Sequence, residues 1–367
     1  RCLSAQLGLR YVAGETPMSV NLSVDSQAID RDRVQELLVK TSRTFALCIP
    51  MMPGMLRDAL GLGYLLLRNA DTIEDAYRWP KARRIELLEA FKQLLQQPEP
   101  TSALEFAEMF SQIDDLEDAD HLELLQSTPF LLEQVALLPR PYVEAITEHV
   151  ARVIEWMQKW VSMHDDHNRL TLLRLKQLDD YCYAVAGIVG ELGTSLISLY
   201  RPTLEGTRLL VLRSLETASG AGLQLTNIIK DVFRDHQHGR YYIPQEYLPF
   251  ENGGRQEGLM PIVAHAYRNL CLGREYVRAV PEEEFDIRKA ILVPLLLAVA
   301  TLRHLIENLD GLFEGADVKI SRETVAEIVM LADQVAGGNL EVERAWDDLS
   351  GPLLELDGTK MLEPKPA

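Results

Sequence analysis

Tyr64-Leu-Leu-Leu-Arg68-Asn-Ala-Asp71-Thr-Ile-Glu74-Asp75 combines an apolar helical run with three carboxylates. Leading into it, Leu60, Tyr64 and Leu67 recur at the spacing of an α-helix with one apolar face. On that helix Asp71 and Asp75 stand at i and i+4 and share a face, with Glu74 close beside them. Like charges at that spacing destabilise an isolated helix, so a positive partner has to offset them.

Outward from this stretch the same period recurs. Val34, Leu37 and Leu38, and later Leu88, Phe91 and Leu95, carry it from Asp30 onward. No alternating strand pattern and no run of hairpin turns stands out. Breaks fall at Pro50–Gly54, Pro98–Pro100, Pro139–Pro141, Arg201–Thr203, Glu251–Gly258 and Gly311–Ala316, dividing the chain into long helices with short connections. The pattern predicts an all-α fold, a single-domain helical bundle over residues 29–345. It is preceded by a polar, aperiodic leader over 1–28 and followed by a tail over 346–367.

The 367 residues are 47% hydrophobic and 25% charged, which suits a globular protein with a large core. A net charge of -18 argues against nucleic acid and against a polybasic membrane anchor. An acidic chain can still hold an anionic substrate if divalent cations bridge the two. Cys2, Cys48, Cys182 and Cys271 lie far apart with no C-x-x-C pair, and read as small core residues in a reducing compartment. The longest apolar run, Ile291 to Leu302, contains Pro294 and is too short to span a bilayer. The chain opens on Arg1, so upstream residues are expected to be missing.

A second acidic stretch reads Gln224-Leu-Thr-Asn227-Ile-Ile-Lys230-Asp231-Val-Phe-Arg-Asp235. Asn227, Asp231 and Asp235 form a helical stripe of oxygen ligands, with Ile228, Ile229 and Val232 supplying an apolar side. Oxygen-only donors favour a hard cation, and Mg²⁺ is usually held by one or two carboxylates plus substrate phosphates and water. Either stripe alone reads as a solvated helix face. Together, with Arg68, Lys230 and Arg240 nearby and apolar helix beside them, they suit a diphosphate with an apolar tail. Asp114-Asp115-Leu116-Glu117-Asp118 also spells D-D-x-x-D, but it lies in an acidic stretch without a nearby Arg or Lys and reads as a solvated face or loop.

Four ordered blocks resemble the squalene/phytoene synthase family, which couples two prenyl diphosphates head to head. Thr41-Ser42-Arg43-Thr44-Phe45-Ala46 resembles its S-R-S-F segment, and Tyr64 through Asp75 its Y-x-x-x-R-x-x-D-T-x-E-D block. Tyr181-Cys-Tyr-Ala-Val-Ala-Gly187-Ile-Val-Gly190 resembles its Y-C-x-Y-V-A-G-x-V-G helix, and Gln224 through Glu246 the last block. Squalene synthase is the nearest member type. The resemblance implies an isoprenoid-synthase-type bundle around a central apolar cavity and a prenyltransferase that joins two farnesyl diphosphates through presqualene diphosphate. It implies Mg²⁺ on Asp71, Asp75, Asn227, Asp231 and Asp235. It implies diphosphate contacts from Ser42, Arg43, Thr44, Gln224, Lys230 and Arg240, with Tyr181, Arg68 and Tyr64 as catalytic residues. NADPH would supply hydride if the product is squalene. No partner protein is implied, and the expected setting is a cytoplasmic monomer in loose contact with membrane.

The apolar helix Ile291 to Leu302 is expected to line the tail cavity, and Gly187, Gly190 and Gly193 to allow close helix packing beside it. Four positions depart from the family pattern. Lys230 stands where Arg is frequent, and it offers a point charge instead of a planar fork. Arg234 precedes Asp235 where squalene synthases show an acidic residue, and Ala290 and Ile291 precede Pro294 where reducing members carry Phe and Cys. Squalene, presqualene diphosphate, hydroxysqualene and a dehydrosqualene or phytoene-type product therefore all stay open. So do a non-catalytic relative and a cyclising terpene synthase, although both aspartate pairs and the Ser42 and Tyr181 blocks are kept.

Overall fold

Proline and polar caps set where the helices begin. The first starts at Asp30, whose side chain accepts from the Arg33 amide, and it runs Arg31–Thr41. Pro53 and Pro139 stand immediately before helices Gly54–Asp75 and Arg140–Ser162, where a fixed φ does no harm. The computed structural model describes residues 28–111, 118–247, 255–313, 315 and 318–357. These residues form a helical bundle whose long members also include Lys81–Gln96, Gly206–Lys230, Arg255–Ala279 and Phe285–Glu307. Of the expected leader only Ala28 is described, and residues 114–117 of the D-D-x-x-D stretch also lie outside the described residues. Its last member, Asp118, caps helix Ala119–Gln126 by accepting from the Asp120 and His121 amides.

The apolar faces meet in two clusters. One gathers Leu37, Leu62, Leu88, Phe91, Ile146 and Leu192; the other gathers Leu178, Leu225, Ile262, Leu296, Leu302 and Trp346. Helix Gly206–Lys230 contributes Leu212 to the first and Leu225 to the second, and Phe285–Glu307 likewise contributes Ile287 and Leu296. These two helices tie the halves together. By length and composition, Phe285–Glu307 and the continuous run Leu175–Tyr200 could each cross a membrane, in contrast to the expectation drawn from the short apolar run Ile291–Leu302. Their most apolar windows are 67% and 44% buried inside the protein, so both serve as core helices here.

The run Leu175–Tyr200 is not uniform. Leu175–Cys182 passes through a π-turn, Tyr183–Gly187, into Ile188–Tyr200. It crosses Gly206–Lys230 backbone to backbone, and the small residues there are obligatory. A Cβ on Gly190 would lie 2.0 Å from the Glu216 carbonyl oxygen, and one on Gly220 would lie 2.1 Å from that of Ala186. Gly193 takes no part in this crossing, since a Cβ there would meet nothing within 4 Å. The expected glycine spacing therefore works through Gly190, with Gly220 on the partner helix that the spacing did not include.

Two further expectations change. A two-residue parallel pairing, Leu170–Thr171 with Arg240–Tyr241, exists where no strand was expected, too short to show any alternation. The expected tail at 346 begins inside helix Asn339–Ser350, and a last short helix follows at Leu354–Asp357. Trp346 is fully buried, and Ser350 accepts from the Tyr267 hydroxyl at 2.8 Å. Val342, Ala345, Trp346 and Leu349 keep helical spacing across Asp347 and Asp348, whose charges face out and dilute the apolar signal.

Candidate active site

The first aspartate pair sits at the C-terminal end of helix Gly54–Asp75. Its carboxylates are tied to different parts of the chain. Arg68 pairs with Asp71 one turn along, and its Nε and Nη2 both donate to the Thr41 carbonyl at 3.1 Å. That carbonyl closes helix Arg31–Thr41, so Arg68 fastens the Ser42–Phe45 segment to the aspartate helix. Tyr64, one turn earlier, stacks against Phe45 of the same segment with ring centroids 4.9 Å apart. Asp75 is held by Arg240, 2.7 Å from its carboxylate, with a second bond of 3.1 Å to its backbone oxygen. Burial works against both guanidinium charges. Asp71 and Tyr64 more than offset it at Arg68, and Asp75 and Tyr242 do so at Arg240, so both are held above the usual arginine range.

Arg240 was expected beside the second pair, and the chain path explains its actual place. Gly239 turns the backbone at φ 73°, which a side chain would strain, and Arg240–Tyr241 then pairs with Leu170–Thr171. This short pairing aims Arg240 back at Asp75. The second pair is close by all the same. Burial, with Asp231 adding, lifts the Asp235 carboxyl to about 7; Arg240 pulls against this and Asp75 pushes with it. Asp75, Arg240 and Asp235 therefore share one electrostatic neighbourhood, and a small open pocket lies between Ile228, Val232, Asp235, Arg240 and Tyr242.

The second stripe is bent. Helix Gly206–Lys230 ends at Asp231, which adopts φ -95° and ψ 7°, and helix Val232–Gln237 follows. The Asp235 amide still donates to the Asp231 carbonyl at 2.8 Å, which keeps the two residues about a turn apart. Lys230 lies 3.4 Å from the Asp231 carboxylate and donates to Asn227 Oδ1 at 3.2 Å; Arg234 reaches Asp231 at 3.1 Å. Gln224 is half-buried one turn before the exposed Asn227. Ser42 is buried and its hydroxyl accepts from the Phe45 amide, Arg43 is exposed, and Thr44 gives its carbonyl to Cys48 Sγ at 3.1 Å.

Tyr181 ends the helical turn before the π-turn and is buried, 4% exposed. Its hydroxyl donates to that of Tyr242 at 3.1 Å, and Trp160 meets its ring edge-on at 5.5 Å. Burial, then Tyr242 and Glu74, push the Tyr181 phenol well above its usual range, so it stays protonated. Glu74 itself is buried, and burial together with Asp75 lifts its carboxyl to about 8 against Arg240 and Arg84. Arg84, fully buried, donates to the Glu74 carbonyl at 2.6 Å and to the side chain of Asn168. Asn168, at φ 61°, in turn holds the Tyr77 carbonyl. Tyr242, Arg84 and Asn168 were not foreseen. Tyr242 lies inside a quoted block and could have been; nothing in the local pattern marks the other two.

In this mainly α-helical bundle two carboxylate faces meet cations beside a buried phenol. A family model for squalene/phytoene synthase matches residues 38–324, and the chain belongs to that family. It is 32% identical to the squalene synthase of Mycosarcoma maydis over 251 residues, 66% of this chain and 41% of that protein. It is 24% identical to the squalene synthase of Schizosaccharomyces pombe, over 81% of this chain and 64% of that one. The chain thus spans about two fifths to two thirds of the length of these curated relatives. A TcSQS structure with a bound ligand superposes at a TM-score of 0.72 with 22% identity, covering 92% of this chain and 93% of the other. A dehydrosqualene synthase superposes at 0.51 with 18% identity, covering 83% and 95%. At such identities these two likenesses bear on the fold alone.

Proposed function

We propose that the chain condenses two farnesyl diphosphates head to head, through presqualene diphosphate, to squalene. The observation that carries this reading is the meeting of Asp75, Arg240 and Asp235 beside the buried Tyr181 and Tyr242 phenols. A site of that kind can hold a diphosphate at one end and a carbocation at the other.

The donor set fits Mg²⁺. Asp71, Asp75, Asn227, Asp231 and Asp235 offer only oxygens, and crowding already lifts the Asp71 and Asp235 carboxyls, burial first and their paired aspartates next. Among the described residues no three His, Cys, Asp or Glu side chains converge closely enough to hold a metal unaided. That suits a cation completed by diphosphate oxygens. When bound, Mg²⁺ neutralises charge on the leaving diphosphate. Arg68 and Arg240, already fixed by their aspartates, present further N–H donors, and Lys230 adds a point charge. Arg43, Thr44, Ser42 and Gln224 are proposed to meet the second diphosphate. The Tyr181 ring and oxygen stabilise the allylic cation or take its proton, and Trp160 and Tyr242 keep water from it. The buried helix around Leu295 and Val299 is proposed to wall the tails.

NADPH, when bound, would supply hydride for the reductive half-reaction. Gly220-Ala-Gly222 has no part in holding it, since both glycines are packed against backbone, of Ala186 and Leu270. The names of the relatives support squalene as product. Ala290 and Ile291 before Pro294 favour the second reading, release of an unreduced product. The proposed setting is a cytoplasmic monomer that touches membrane loosely while unloading an oily product.

The test is incubation with Mg²⁺ and farnesyl diphosphate, with and without NADPH, followed by mass spectrometry. Inorganic diphosphate and a thirty-carbon product are expected, as squalene only when NADPH is added. A thirty-carbon product indifferent to NADPH selects the second reading. No turnover of either fifteen- or twenty-carbon donors overturns both.

A further inference from the structure

We propose that Tyr242 is a positioning residue for Tyr181, holding its phenol so that the cation formed at the site is coupled instead of lost to water. The inference rests on the function proposed above and adds a residue to it. Both phenols are buried, at 4% and 7% exposure, and a buried hydroxyl left without a partner is costly. Each is the other's partner: Tyr181 donates to Tyr242 at 3.1 Å, and the rings lie 4.6 Å apart at 33°.

The chain path fixes Tyr242 there. Residues two apart in an extended segment point to the same side, so Arg240 and Tyr242 share a face across the Arg240–Tyr241 pairing. Arg240 lands on Asp75, and Tyr242 lands on Tyr181. The Leu172 amide donates to the Tyr241 carbonyl at 3.0 Å and pins the segment between them. Three residues thus couple the ionising end of the site to its phenol.

Direction matters as much as contact. Because Tyr181 gives its hydrogen to Tyr242, its oxygen lone pairs face away from that bond, free for a cation or a departing proton. Trp160 packs on the Tyr181 ring, and its buried indole N–H has no hydrogen-bond partner among the described residues, the Tyr181 oxygen included. Without the Tyr242 oxygen the Tyr181 hydroxyl is a free rotor. The loss would fall on the fate of the cation, since the carboxylates and arginines that ionise the diphosphate are left in place.

Tyr242→Phe keeps the ring and removes the oxygen. With Mg²⁺ and farnesyl diphosphate, diphosphate release should stay within about threefold of wild type, while thirty-carbon product per diphosphate released falls about tenfold. The difference should appear as the fifteen-carbon alcohol, formed when water adds to the cation and gives up a proton. Tyr181→Phe should shift the same ratio, and the double variant should shift it no further than Tyr181→Phe alone. A thirty-carbon yield per diphosphate unchanged in Tyr242→Phe overturns the inference, as does full additivity with Tyr181→Phe. Equal loss of both readouts with a lowered melting temperature overturns it in favour of plain packing. Independently of turnover, the Cζ carbon resonance of Tyr181 in tyrosine-labelled protein, assigned by its loss in Tyr181→Phe, should move in Tyr242→Phe. An unmoved resonance in an active protein overturns this inference alone, whereas an inert wild type overturns the proposed function and this inference with it.

Discussion

The two aspartate pairs are alike in sequence and differ in how they are held. Asp71 and Asp75 close an unbroken helix; Asp71 pairs with Arg68 of that helix, itself bound to the Thr41 carbonyl, and Asp75 is held by Arg240 arriving from another part of the chain. Asp231 and Asp235 straddle a helix break and are balanced locally, Asp231 by Lys230 and Arg234 of the same stretch. The first pair is therefore a product of tertiary structure, and the second a nearly self-contained motif. Removing Asp75 should disturb packing as well as chemistry; removing Asp231 should disturb chemistry alone.

The largest effect tests that directly. Asp75→Asn and Asp231→Asn should each abolish turnover with Mg²⁺ and farnesyl diphosphate while the helical circular dichroism stays intact. Only Asp75→Asn should also lower thermal stability, because Arg240 is left largely buried without its counter-charge. Asp75 is about half exposed, so solvent screening limits that loss to about 1–2 kcal/mol. Equal melting temperatures for the two variants would break the comparison, and substantial turnover in either would remove the metal assignment.

Next comes the arginine against the lysine. Arg240→Lys replaces a fork that reaches both the Asp75 carboxylate and its backbone oxygen, and should lower kcat by about 10²-fold. Lys230→Arg restores the family's more frequent residue at a point-charge contact and should change kcat by less than about threefold. Steady-state kinetics on both variants decide it; comparable losses would mean that the second pair is as tightly specified as the first.

The same contrast explains what the sequence disclosed. The Asp71/Asp75 and Asn227/Asp231/Asp235 spacings are local and can be read from a helical period, as can the Gly190 close approach. Arg240 could be picked out as a cation but not assigned, because its partner is set by a turn at Gly239 and a pairing two residues long. Tyr242 follows from Arg240 by strand geometry, so once the path of Arg240 could not be read neither could the place of Tyr242. Arg84 and Asn168 belong to a network that locks the end of the first aspartate helix, and neither carries a local signature: Arg84 reads as one of several surface cations until the fold buries it. At the C-terminal end the helical period continued through Trp346, and the charges beside it concealed that.

The smallest effect concerns Glu74, an acidic member of the first block that the fold buries. Its carboxyl, lifted to about 8 by burial and Asp75, keeps in the folded, metal-free protein a proton that the unfolded chain gives up near 4.5. A raised pKa in the folded state means the unfolded chain binds fewer protons between those values. Stability of the metal-free protein should therefore fall as pH rises from about 4.5 to 8, with a slope of at most about 1.4 kcal/mol per pH unit for one proton. Glu74→Gln keeps the shape, cannot ionise, and should flatten that dependence, leaving the variant the more stable of the two at pH 8 in the presence of chelator. Asp235, lifted to about 7, adds a similar fall from the second pair over a narrower window, and Asp235→Asn isolates it. If melting curves show the Asp235 variant flattening more than the Glu74 variant, the strain of like charges lies in the second pair, and the first pair's arginines, Arg68 and Arg240, already relieve its own.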